Sequence, residues 1–272
     1  MLRILICLLL PLAAPGAPEL TAGDIMARVA LNQDKDLELR KSFVYQQHVV
    51  VSTRHFNGKL ARREKADYLV APGDKDTQRK LTAIAGEYNL KGHAIYFHGE
   101  PVPAADSLDG DLVKSFRDDL LDGKSRDGVG EGLFPLTSRE QSKYRFELIG
   151  KKSVDGRDTY VIGFSPADPH EFTWAGEAWI DCAEFQPARV FTKLSRKLPL
   201  AVRTLLGTDL PGLGFNVQYR RVEKDVWFPV SFGSEFRLRA VFFIKRDIAM
   251  SMEASGFQRA KVDSKIEYES AK

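Results

Sequence analysis

Between positions 43 and 56 β-branched and aromatic side chains fill the apolar places, and a second run follows over 59–70. Such residues favour β-strands, in which successive side chains leave opposite faces of a sheet. The run breaks at Asn57-Gly58. Asn-Gly between two such segments predicts a hairpin closed by a type I′ turn, with positive φ at both central residues. The same pattern recurs along the chain. Short strands are expected at 81–85 and 94–98 around Gly86 and Gly92, and a pair at 144–149 and 159–165 across Asp155-Gly156. A second pair falls at 177–181 and 188–195, followed by 215–222, 227–232, 235–245, 248–253 and 262–268. About a dozen strands at hairpin spacing predict a mainly β protein built on one large antiparallel sheet, curved into a barrel or half barrel.

Two segments carry helical spacing instead. In 21–39, Ile25, Val29 and Leu37 fall near one face behind Thr21 or Asp24 as a cap. In 107–121, Leu108, Leu112, Val113, Phe116, Leu120 and Leu121 repeat between Ser107 as cap and Gly123 as stop. This second helix sits in a stretch, 99–142, whose flanks are rich in Pro, Gly and Asp. Its apolar stripe has to be buried, and the concave side of the sheet is the large surface on offer, which predicts a lid or plug.

Residues 1–16 hold one cation, Arg3, an apolar run over 4–10, Pro11 and then small residues, with Ala14 and Gly16 marking a cleavage position. That order reads as a secretory signal peptide, and the run is about half the roughly 20 residues a membrane span requires. The expected mature unit is a single domain over 17–272. It keeps one thiol, Cys182, best buried in an oxidising compartment.

Composition narrows the functions. The 40 basic and 37 acidic residues give a formal charge of +3, spread evenly, so no basic stripe points to nucleic acid. His48 and His55 lie seven positions apart on a predicted strand and His93 and His98 five apart, so the members of each pair would face opposite ways, while His170 stands alone. No metal site follows from them. Asp181 with Glu184 and Glu223 with Asp225 flank turns, where carboxylates serve the backbone. The glycines of 207–214 open no helix, and no nucleophile elbow is present. The residues thus indicate neither catalysis nor a cofactor.

Apolar strand faces are the stronger signal. Phe215, Val217 and Tyr219 share one face of a strand, Phe236, Leu238 and Phe242 share one face of another, and Trp179 sits between Ala178 and Ile180. With Leu112, Phe116 and Leu120 of the second helix above them, these residues would line an apolar cavity or pack as a filled core.

Three stretches are more specific: GEAWIDCAEFQPARV at 176–190, GTDLPGLGFNVQYRRV at 207–222 and VWFPVSFGSEFRLR at 226–239. Together with the opening helix, the Tyr45-Gln46-Gln47-His48 strand and its Asn-Gly turn, and a hairpin pairing Trp179-Ile180-Asp181 with Pro187-Ala188-Arg189, the chain resembles the LolA-like superfamily of periplasmic lipoprotein carriers and outer-membrane lipoprotein-sorting proteins, in a longer branch. The resemblance implies an unclosed antiparallel β-barrel with helices covering the concave side. It also implies a periplasmic location and an apolar cavity for a lipid, lipoprotein acyl chains or another amphiphile, with envelope membrane proteins as further partners. On that reading the protein is a monomeric carrier without covalent chemistry or cofactor. The alternative is a protein-interaction or sensor module with a filled core, using strand edges or the surface around Trp174 and Trp227.

Overall fold

The computed structural model describes residues 19–73, 77–99, 108–121, 134–170, 173–195, 208–240 and 244–260. The segment 1–16 read as a signal peptide, Phe242 and the strand expected at 262–268 lie outside the described residues. None of the described helices is long and apolar enough to cross a membrane.

Among the described residues the strands are β1 (Phe43–His55), β2 (Leu60–Pro72), β3 (Thr77–Leu90), β4 (His93–His98), β5 (Tyr144–Val154), β6 (Arg157–Pro166), β7 (Trp174–Asp181), β8 (Pro187–Leu194), β9 (Thr208–Asp209), β10 (Gly214–Glu223), β11 (Val226–Ala240) and β12 (Ile244–Arg259). They form one antiparallel sheet in the order β4-β3-β2-β1-β12-β11-β10-β8-β7-β6-β5, with β9 beside β11. The first and last strands do not pair, so the sheet is not closed into a barrel. The sequence ends of the described sheet meet where β1 pairs with β12 in its interior, over twelve partnered positions from Phe43 to His55. The described residues also form three helices: α1 (Ala22–Arg40), α2 (Leu108–Leu120) and the single turn α3 (Ser138–Gln141).

Turn chemistry explains the hairpins and corrects one of them. At the Asn57-Gly58 turn only Gly58 has positive φ, +80°. The Gly58 amide donates to the His55 carbonyl at 2.8 Å and the His55 amide to Lys59 at 2.9 Å. This is a type I turn followed by a glycine bulge, because a three-residue loop places the left-handed residue third. The expected type I′ geometry occurs instead at Asp155-Gly156 (φ 50° and 78°) and at Lys91-Gly92 (50° and 89°). Gly86 does not interrupt β3 as expected. A Cβ there would come within 2.4 Å of the Phe97 ring, so the missing side chain is the space in which that ring lies. The segments 227–232 and 235–245 also differ from expectation: β11 runs unbroken through Val226–Ala240.

Helix α1 starts as its sequence predicts. Thr21 and Asp24 form a reciprocal capping box, with Thr21 Oγ1 accepting from the Asp24 amide at 3.1 Å and Asp24 Oδ2 from the Thr21 amide at 3.0 Å. Ile25, Met26 and Val29 are at most 1% exposed. Each such side chain contributes about 1.5–3 kcal/mol of hydrophobic stabilisation. The next turns depart from the apolar reading. Leu37 is only half-buried, and the helix face continues inward through Gln33, Asp36 and Arg40. One apolar cluster joins α1, α2 and the concave side of the sheet.

Candidate ligand-binding face

The two long helices are held on the sheet by different means. At the C-terminal half of α1 a buried polar network replaces apolar packing. Arg40 Nε donates to the Trp227 carbonyl at 2.5 Å and Arg40 Nη2 to Gln33 Oε1 at 3.2 Å. Gln33 Nε2 donates to Gln186 Oε1 at 2.6 Å. Asp36 Oδ2 accepts from Gln186 Nε2 at 3.0 Å and from the Trp227 amide at 3.3 Å, with Arg40 Nη2 3.7 Å away. The other oxygen, Oδ1, is buried without a partner. Burial pushes the Asp36 carboxyl up to about 6, against the opposing pull of Arg40 and the hydrogen bonds. The Arg40 guanidinium also faces the rings of Tyr219 and Phe228 at 5.9 and 5.5 Å.

Beyond this network, Asn32 donates to the carbonyls of Glu184 and Phe185 in the β7–β8 turn. Asp181 and Glu184, noted in the sequence as a carboxylate pair, both bind Arg157, at 2.8 and 2.9 Å. Asp181 Oδ1 also accepts the amides of Ala183 and Glu184, so that the pair fixes the turn. Cys182 in the same turn is half-buried, and burial pushes its thiol pKa up.

Helix α2 is held mainly at its ends. It packs across β1 and β2 with Val113 fully buried and Leu112, Phe116, Leu120 and Leu121 half-buried against the cluster. The Phe116 ring meets Phe236 edge-on at 5.5 Å. At the first turn Asp109 takes a two-pronged bond from Arg246, 2.7 Å from Nε and 2.9 Å from Nη2. Burial raises the Asp109 carboxyl, but the Arg246 bonds outweigh it and hold it below its ordinary range. Near the other end Arg117 pairs with buried Glu64, and Arg79 Nη1 donates to the Leu121 carbonyl at 3.1 Å.

Of the residues the sequence nominated, Phe215, Val217, Tyr219, Phe236, Leu238, Leu112, Phe116 and Leu120 all belong to this one cluster. Trp179 does not. It alternates with buried Ala178 and Ile180 and stands beside Val161 and Arg189 on the opposite face, so it cannot line the concave side. A cavity of about 570 Å³ beside the Pro211-Gly212 loop is lined by Arg54, Glu235, Arg237, Asp247 and Ala249, which alternate with the buried Phe236 and Ile248 and so open on the opposite side of the sheet from the apolar cluster. Sequence reading missed the inward charges Arg62, Glu64 and Asp36. The signal was available for Glu64, which shares strand parity with Ala66, Tyr68 and Val70.

No family model matches the chain, and no curated protein matches it. Solved structures similar to it over nearly the full length include a LolA superfamily protein from Nitrosomonas europaea (12% identity, 91% of this chain and 97% of that one, TM-score 0.34). Two more are a DUF1329 family protein from Desulfovibrio piger (12%, 90% and 95%, 0.35) and an outer membrane lipoprotein-sorting protein domain from Vibrio parahaemolyticus (12%, 88% and 95%, 0.35).

Proposed function

We propose that the protein is a periplasmic carrier that holds the acyl portion of a lipid, lipoprotein or other amphiphile on the concave face of its sheet, beneath α2 and without covalent chemistry. The observation that carries this reading is the contrast between the helices. Helix α1 buries Ala22, Ile25, Met26, Val29 and Ala30 and is pinned by an internal polar network, whereas α2 buries one side chain, Val113, and is tied at its ends by ion pairs. A helix attached in that way can lift off and leave an apolar bed formed by Phe236, Leu238, Val49, Val51 and their neighbours.

Energetics favour exchange of this kind. Each methylene buried contributes about 0.8 kcal/mol, so a fully enclosed 16-carbon chain would gain roughly 13 kcal/mol and leave very slowly. When the chain instead displaces Leu112, Phe116, Leu120 and Leu121, their lost contacts offset much of that gain, and loading becomes reversible.

The test uses the neutral apolar fluorophore 1-N-phenylnaphthylamine with the full mature chain. The wild type is expected to enhance its fluorescence, and Asp109→Asn, which weakens the N-terminal tether of α2, to take it up about tenfold faster. A natively folded Asp109→Asn variant that leaves the probe dark would refute the reading.

A further inference from the structure

Arg62 lies on β2 with its side chain on the concave side, opposite Thr53 and Tyr88. It is 4% exposed, and within the described residues its one ion-pair partner is Glu64, at 3.4 Å through Nη2. Among the described residues its Nε and Nη1 are buried without a hydrogen-bond partner. The faces of Tyr88 and Phe97 stand 5.6 and 5.2 Å from Cζ. These rings soften the charge but do not accept the in-plane N–H groups. Glu64 is in turn shared, because Arg117 also pairs with it. Two guanidinium groups on one buried carboxylate leave positive charge over, and Arg117 has a second carboxylate in Asp118 at 3.3 Å that Arg62 lacks. A buried cation with open donors is costly unless an anion completes it.

The surroundings suit a molecule that is anionic at one end and apolar at the other. Cross-strand pairing puts Arg62 opposite Tyr88, Tyr88 opposite Ile95, and Tyr68 opposite Leu81, all on the concave side. There Leu81 is 44% exposed, Leu90 53% and Ile95 37%. An apolar strip at the open edge of the sheet therefore runs up to a buried guanidinium with two free donors.

We infer that Arg62 is the head-group anchor of the carrier, and that the ligand is an amphiphile with a single anionic head, a carboxylate or a phosphate, accepted by Arg62 Nε–H and Nη1–H while its chain lies along β3 and β4 towards α2. This inference rests on the carrier reading.

The experiment is displacement of bound 1-N-phenylnaphthylamine by paired ligands. Laurate is compared with methyl laurate, and dilauroyl phosphatidic acid with dilauroylglycerol. In the wild type at least one acid is expected to displace the probe at a concentration ten or more times lower than its neutral partner, and the pair that shows the preference names the head group. Arg62→Gln should abolish the preference while displacement by the neutral partner stays unchanged. Arg62→Lys, which keeps the charge but not the paired donors, should keep only part of it.

If Arg62→Gln does not fold, the Arg62 ¹H–¹⁵Nε resonance of the wild type reports the same contact. It should move on adding the preferred acid and stay in place with the neutral partner. Equal displacement by both members of both pairs, or a preference that survives in a folded Arg62→Gln variant, overturns the inference and leaves the carrier reading intact. A wild type that never takes up the probe removes both.

Discussion

Single residues set limits that the elements must respect. Gly176 on β7 is the tightest: a Cβ there would lie 1.9 Å from the Phe191 carbonyl oxygen of β8. Gly176→Ala must push two paired strands apart, and urea denaturation is expected to show a loss of about 3 kcal/mol or more. Gly163 is the contrast, since the tightest contact of its Cβ would be the end of the Ile149 side chain, at 3.1 Å, with the Glu147 carbonyl oxygen at an ordinary 3.9 Å. Gly163→Ala should cost about 1 kcal/mol or less.

Asp36 supplies a pH dependence. Its carboxyl titrates near 6 in the folded chain and at the ordinary 3.8 when unfolded. Between these values the folded state binds more protons, so this group makes stability fall as pH rises from about 4 to about 6. The difference corresponds to about 3 kcal/mol. Thermal unfolding of Asp36→Asn across that range should lack the slope. Asp109 and Asp181 act in the opposite sense. Their folded values are lowered, so their contribution is present above the ordinary carboxylate range and is lost as the solution becomes more acidic than that.

At the scale of elements, the two helices should separate in their dynamics. Ile25→Ala removes a fully buried side chain from α1 and should lower global stability by about 2–4 kcal/mol. Arg246→Gln breaks a tether whose partners are 15% and 17% exposed and so only weakly screened, and it loosens the end of α2 that this pair holds. Hydrogen exchange is expected to quicken about tenfold across the α2 amides with α1 unchanged. Equal acceleration of both helices would mean that α2 opens only when the whole domain unfolds.

The whole molecule has two free sheet edges among its described strands, and they are unequally protected. Edge strand β5 carries Lys151 and Lys152 and an irregularity between Leu148 and Gly150. Edge strand β4, His-Ala-Ile-Tyr-Phe-His, holds no lysine or proline and pairs with β3 without a bulge. Flat, uncharged edges recruit further strands, so β4 is the expected route of aggregation. Tyr96 is 70% exposed on the convex side. Tyr96→Lys should slow the rise of light scattering at elevated temperature while leaving the unfolding free energy within about 0.5 kcal/mol of the wild type.

Most of the described strands, their hairpin order and the cap of α1 were legible in the sequence, because strand-forming residues, turn residues and capping boxes act between neighbours a few positions apart. So was membership of one apolar cluster for eight of the ten nominated residues, since strand parity decides which side chains share a face; Trp179 failed because both faces of β7 carry bulky side chains, and Phe242 lies outside the described residues. The pairing of β1 with β12, the burial of Asp36 and Arg40 on a helix face that looks polar, and the meeting of Arg62 with Tyr88, Phe97 and a shared Glu64 were decided only by the tertiary structure. Each depends on residues brought together from distant positions in the chain, and burial alone turns an ordinary surface charge into one that needs a partner.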